Sequence, residues 1–137
     1  MHETATSPRL PDPVGYAHAV VAGPGRAVYL GGQVGAGRDG AIRGDTMVEQ
    51  FDGAAANVVE ALRAAGATPD DLVSMQVLVT DAAAYRDALA ELGAVWRRHF
   101  GRWYPAMALL EVKGLFDPRA LVELVAVAVV ADGPPQA

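Results

Sequence analysis

The run Ala120-Leu-Val-Glu-Leu-Val-Ala-Val-Ala-Val-Val-Ala131 constrains this chain more than any other stretch. It is rich in β-branched residues, and its uninterrupted apolar part, Leu124 to Ala131, is far too short to cross a bilayer as a helix. Apolar side chains stand at both parities of the strand, so both of its faces need cover. The rest of the chain offers two amphipathic helical stretches, and one layer of helices covers one face of a sheet. The expected architecture is therefore an α+β layer with both helices on one face and a second subunit against the other.

Glu123 alone interrupts the run. An ionised carboxylate buried without a partner costs several kcal/mol and usually neutralises instead. By the period of two, Glu123 points with Leu121, Val125 and Val127. A carboxyl there either lines an apolar pocket, where it can take or give a proton, or sits near the start of a strand and reaches an arginine or water. The pattern supports both readings equally.

The other elements follow from periodicity. Residues 16–22 and 26–32 read as strands joined at Gly23-Pro24-Gly25, and Asp39-Gly40 marks a tight turn between two short ribbon strands. Val48, Phe51, Ala55, Val58, Leu62 and Ala65 form one helical stripe. Thr46 and Glu49 have capping-box spacing at its start, and Gly66 stops it. Residues 70–80 return to strand character. Asp81 opens a second helix carrying Tyr85, Leu89, Leu92, Trp96 and Phe100 on one side, with Gly101 as its stop. Residues 106–112 and 120–130 are two more strands. The expected organisation is a flexible arm over 1–13, one domain over 14–131 and a loose tail over 132–137.

Several functions are disfavoured. The chain has 137 residues and a net charge of −5, without the basic stripe of a dedicated nucleic-acid binder. It has no cysteine, so thiol nucleophiles, disulfides and Cys-zinc sites are excluded. The N-terminal segment lacks the apolar core of a signal peptide, so the cytoplasm is the expected location. His2, His18 and His99 lie too far apart in sequence for a helical metal pair, so no metal site is expected. His18 shares a strand face with Tyr16. Gly35, Gly37 and Gly40 match G-x-G-x-x-G, but no helix opens directly from them to supply phosphate-binding amides.

The order of elements, together with Gly15-Tyr16, "VYLGGQVG", "GDTMVEQFDGAAANVVEALRAAGAT", "DDLVSMQVLVTD", "YPA" and "LVELVAVAVV", resembles the YjgF/RidA family of reactive-intermediate deaminases from about Gly15 to Val130. The resemblance implies a chorismate-mutase-like fold, a homotrimer with ligand clefts between subunits, and hydrolysis of short-lived enamines and imines such as 2-aminoacrylate, without metal or cofactor. It implies pocket roles for Tyr16 and for the backbone of Gly31-Gly32-Gln33, and a water-activating role for Glu123. Met107 stands where the family carries an arginine that clamps the substrate carboxylate. Leu109 replaces a small polar or thiol residue.

Methionine offers neither charge nor donor, so an efficient 2-aminoacrylate deaminase is not expected. Arg102 and Lys113, nearby in sequence, are candidate substitute cations. The expected function is acid/base chemistry on a small imine, enamine or enol: hydrolysis, tautomerisation or ring closure. Glu123 would be catalytic, with Tyr16, Gly31, Met107 and Leu109 binding the substrate, and neither nucleic acid nor membrane as partner. The alternative is a trimer that binds a small molecule or another protein without catalysis.

Overall fold

The computed structural model describes residues 1–132. Of the tail expected over 132–137, residues 133–137 lie outside the described residues. The strands are β1 (Glu3–Ala5), β2 (Ala19–Val21), β3 (Gly25–Tyr29), β4 (Leu72–Val79), β5 (Ala106–Glu111) and β6 (Val122–Ala131). The helices are α1 (Met47–Ala64), α2 (Ala82–Asp87) and α3 (Leu89–Phe100). The main sheet runs β3-β6-β4-β5, with β4 and β5 parallel and the other pairs antiparallel.

The doubly apolar strand β6 is central, between β3 and β4. Its Val122, Leu124, Ala126 and Ala128 are buried, together with Leu72, Met75, Val77 and Val79 of β4. Phe51, Ala54, Ala55, Val58 and Leu62 of α1 and Leu92, Val95, Trp96 and Phe100 of α3 complete this core. All helical cover thus lies on one face of a mixed α+β sheet. The other face carries Tyr29, Val125, Val127, Ala108 and Leu110, since cross-strand pairing aligns these residues on the side away from the core. Tyr29 is 79% exposed and Leu110 41%.

Three details depart from expectation. The strands on either side of Gly23-Pro24-Gly25 do not pair with each other: β2 pairs with β1, and β3 pairs with β6. The partner of β2 comes from the segment read as a flexible arm, whose residues 3–5 are the strand β1. His2 ties this segment down, because its Nδ1 accepts from the Gly23 N–H at 3.0 Å and its Nε2 lies 2.9 Å from the Val129 carbonyl. The second helix is also not continuous. Ala88, at φ −113° and ψ 19°, separates α2 from α3. The two pieces dock in different places: Glu111 of β5 accepts from the Ala82 N–H at the start of α2, whereas α3 packs on α1.

The caps behave as the sequence suggests. Thr46 accepts from the Glu49 N–H, although the Glu49 carboxylate takes the Thr46 hydroxyl rather than its backbone. Gly66 leaves α1 at φ +78°, a left-handed conformation that glycine adopts without a steric penalty. The Gly35-to-Gly40 segment forms the expected ribbon, with Ala36 bridging Ile42. A Cβ on Gly35 would meet the Gln50 carbonyl at 2.7 Å, so this glycine serves close approach to α1. Asn57 donates to the Val34 and Ala36 carbonyls and clasps the ribbon onto the same helix.

Candidate functional site

The site residues fall into two groups on opposite faces of the sheet. Cross-strand pairing sets Met75 beside Met107 and Val77 beside Leu109, so Met107 and Leu109 stand on the helix side. Pairing of Leu78 with Glu123 puts Glu123 on the open side. Within one chain, therefore, Glu123 and Met107 do not share a pocket.

On the helix side, Tyr16, Met107 and Leu109 line a cavity of about 250 Å³ with Gly15, Val77 and Tyr85. Tyr16 is brought there because Ala17 bridges Ala106 at the start of β5, with the Ala17 N–H donating to the Pro105 carbonyl at 3.0 Å. The strand expected over 16–22 shortens to β2, and 16–18 meet β5 only through the Ala17 bridge, yet the Tyr16 ring still meets His18 edge-on at 5.2 Å. His18 is committed elsewhere: its Nε2 lies 2.6 Å from the Pro11 carbonyl. The cavity is predominantly apolar, and its polar handles are the two phenols. Burial pushes the Tyr85 hydroxyl above its ordinary pKa, so it remains a neutral hydrogen-bond donor across the physiological range. Neither Arg102 nor Lys113 lines this cavity.

On the open side, Glu123 is half-buried beside Gly32. A Cβ at Gly32 would lie 2.8 Å from the Glu123 carboxyl carbon and from its Oε2, so the glycine lets the carboxyl rest against the backbone. The Gln33 N–H and carbonyl pair with Leu124, which fixes the Gly31-Gly32-Gln33 turn alongside β6. Gly31 faces open space, and its carbonyl accepts from the Gln33 side chain at 3.2 Å. Among the described residues, no side chain hydrogen-bonds or ion-pairs with the Glu123 carboxylate. Arg119, just before β6 in sequence, is committed to another carboxylate, Asp117.

Tyr85 is the pocket residue that helical periodicity conceals. It sits on the same stripe as Leu92 and Trp96 and reads as core. The available signal was its hydroxyl, since a tyrosine in an apolar stripe needs somewhere polar to put it. His99, which carried no expected chemistry, contacts the Asp52 carboxylate together with Arg98 and joins α3 to α1. No group of three or more His, Cys, Asp or Glu side chains among the described residues is arranged to hold a metal ion. No described helix is long and apolar enough to cross a membrane.

The family model described as endoribonuclease L-PSP matches residues 8–130. The chain belongs to this family, known also as Rid or YjgF/UK114. Among solved structures, the Rid-family protein YyfB of Yersinia pestis superposes with a TM-score of 0.84 at 28% identity, covering 94% of this chain and 98% of that one. Rv2704 of Mycobacterium tuberculosis, a YjgF/YER057c/UK114 member, is 36% identical over 85% of this chain and 88% of its own, with a TM-score of 0.63. RidA of the Antarctic bacterium Psychrobacter sp. PAMC 21119 is 27% identical, with a TM-score of 0.67 over 93% and 99% of the two chains. No curated protein matches.

Proposed function

We propose that this Rid-family protein is a cytoplasmic homotrimer that performs acid/base chemistry on a small imine, enamine or enol bound between subunits. The observation that carries this reading is Glu123: a half-buried carboxylate on an apolar sheet face, seated on the Gly32 backbone, with its oxygens uncommitted among the described residues. Such a group is placed to exchange a proton with a bound molecule rather than to hold a structural ion pair. The cavity with Tyr16, Met107 and Leu109 lies on the opposite face, so a substrate touching both groups must lie between two copies of the chain. The open apolar face supplies the surface on which a second copy can pack.

In the hydrolytic version, Glu123 takes a proton from water as the oxygen attacks the imine carbon. Nitrogen is protonated as the C=N bond opens, and collapse of the carbinolamine releases ammonia and leaves a carbonyl. Tyr16 and Tyr85 donate hydrogen bonds to the polar atoms of the substrate. Met107 gives this cleft an apolar wall where a guanidinium would hold a carboxylate, which favours a larger or less charged substrate than 2-aminoacrylate. RNA cleavage, suggested by the family description, would call for a basic, aromatic-lined surface, and the net charge of −5 argues against it.

Turnover of imines generated in situ from a series of amino acids tests this reading. Glu123→Gln should lower kcat by about 10²–10⁴-fold, the usual contribution of a general acid/base. Met107→Arg should gain activity on 2-aminoacrylate. Equal turnover of every imine by wild type and Glu123→Gln would reject the acid/base role and leave a binding protein.

A further inference from the structure

Tyr16 borders a second cavity, of about 350 Å³, on the side away from Met107. Its walls include Thr4, Thr6, His18, Arg102 and Trp103. One wall is thus the N-terminal segment around β1, which packs against β2 and is anchored by His2. The hydrogen-bond pattern assigns the His2 proton to Nε2: Nδ1 accepts from the Gly23 N–H, and Nε2 donates to the Val129 carbonyl of β6. Arg102, at the turn between α3 and β5, also lines the cavity. Arg26, Arg43, Arg63, Arg98 and Arg119 each contact a carboxylate. Among the described residues, Arg102 has no carboxylate within ion-pair distance and no hydrogen bond from its side chain; Arg9, Arg38, Arg86 and Arg97 share this, but of these arginines Arg102 is the one that lines the cavity.

A permanently charged guanidinium at the wall of a cavity, with hydroxyls and aromatic faces around it, is matched to a planar anion. We propose that this cavity is a carboxylate subsite. Its occupant is the carboxylate-bearing end of a substrate or effector with a flat apolar body. Arg102 holds the carboxylate, with the Thr4 and Thr6 hydroxyls as further donors. Tyr16, His18 and Trp103 pack against the body. The inference rests on the reading above in one respect, that Tyr16 faces the substrate. It adds that anion recognition in this chain has moved from position 107 to position 102, on the far side of Tyr16. A carboxylate bound there lies farther from the Met107 wall than one clamped at position 107 itself, so the preferred molecule is longer than a three-carbon imino acid.

Tryptophan fluorescence, with Trp103 in the cavity wall as reporter, tests the subsite on the full-length protein. The probes are 3-phenylpropionate and its uncharged isostere 3-phenylpropionamide. Wild type should bind the carboxylate at least about tenfold more tightly than the amide, the scale of one charge-assisted pair. That preference should weaken as salt is raised. Arg102→Gln should bring the ratio to about one and Arg102→Lys should restore part of it, both at unchanged thermal midpoint. Absence of saturable binding by either probe, equal binding of the two by wild type, or a ratio indifferent to Arg102→Gln would overturn the proposal. Glu123→Gln separates the two claims. A ratio that persists while turnover falls supports both. A lost ratio with Glu123-dependent turnover rejects the subsite alone, and an intact ratio with Glu123-independent turnover rejects the acid/base role alone.

Discussion

Gln50 holds together three segments that meet under the open end of the sheet. It is 2% exposed. Its Nε2 donates to the Gly44 and Arg119 carbonyls, and its Oε1 accepts from the Leu121 N–H at 2.7 Å. Leu121 is two residues before Glu123, so the same amide fixes the entry of the site strand. Gln50→Leu keeps much of the volume and leaves these backbone groups without their partner. It should cost about 2–4 kcal/mol in urea denaturation, the range for orphaned buried polar groups.

Asp52 shows the same logic with charge. Its contact with His99, and then that with Arg98, holds its carboxyl below the ordinary pKa of 3.8. A carboxylate whose folded pKa lies below its unfolded one stabilises the fold above about pH 4, and that contribution is lost as pH falls further. Asp52→Asn should therefore lose stability at neutral pH and lose less on acidification than wild type. Urea midpoints at pH 6 and pH 3 check this, and an unchanged difference between the two pH values would refute it.

At the scale of elements, periodicity is a good guide to which face is buried until an element changes direction. The α1 stripe packs as spaced, with Phe51, Val58 and Leu62 all inside. The second stripe does not. Leu89 was expected inside with Leu92, yet as the first residue of α3, just after the joint at Ala88, it is 58% exposed while Leu92, one turn further along the same helix, is 4% exposed. Val95 is buried in this core as well. Leu89→Ser should change stability by no more than about 0.5 kcal/mol, whereas Leu92→Ala should cost about 2–4 kcal/mol. Nothing in the local sequence signals the joint, since Ala88 is itself a strong helix former. The cause is tertiary: α2 is anchored on β5 through Glu111, and α3 on α1.

The misjudged pairing of β2 has a similar origin. A Gly-Pro-Gly turn signals a reversal, but the hydrogen-bond partner of β2 is set by β1, from a polar, proline-containing segment with little strand character. By contrast, the grouping of Glu123 with Val125 and Val127 on one face of β6 follows from alternation alone, although Leu121, expected with them, packs against the core before the strand begins. Strand parity is inherited directly from the sequence, whereas docking partners are not.

At the scale of the molecule, two half-sites sit on opposite faces of one sheet. Sequence spacing placed Met107 and Leu109 on one strand face and Glu123 with Val125 and Val127 on another strand, but not which sides of the sheet these were. That relation depends on the parallel pairing of β4 with β5 and the antiparallel pairing of β4 with β6. In the proposed trimer this gives the apolar second face of β6 a functional meaning: the surface on which a second copy would pack also carries the Glu123 carboxylate. Arg102, a candidate cation from its nearness to Met107 in sequence, instead lines the other cavity that Tyr16 borders, together with the N-terminal segment, whose place there spacing did not reveal.

The absence of cysteine makes the composite cleft directly measurable. A variant carrying both Met107→Cys and Glu123→Cys, treated with a short bismaleimide, should yield covalent species of two and three chain masses under denaturing conditions, and neither single variant should do so. In one chain the two positions lie on opposite sides of the sheet, so the cross-link must pass between subunits. Only single-chain mass from the double variant, with both thiols shown to be reactive, would contradict the account.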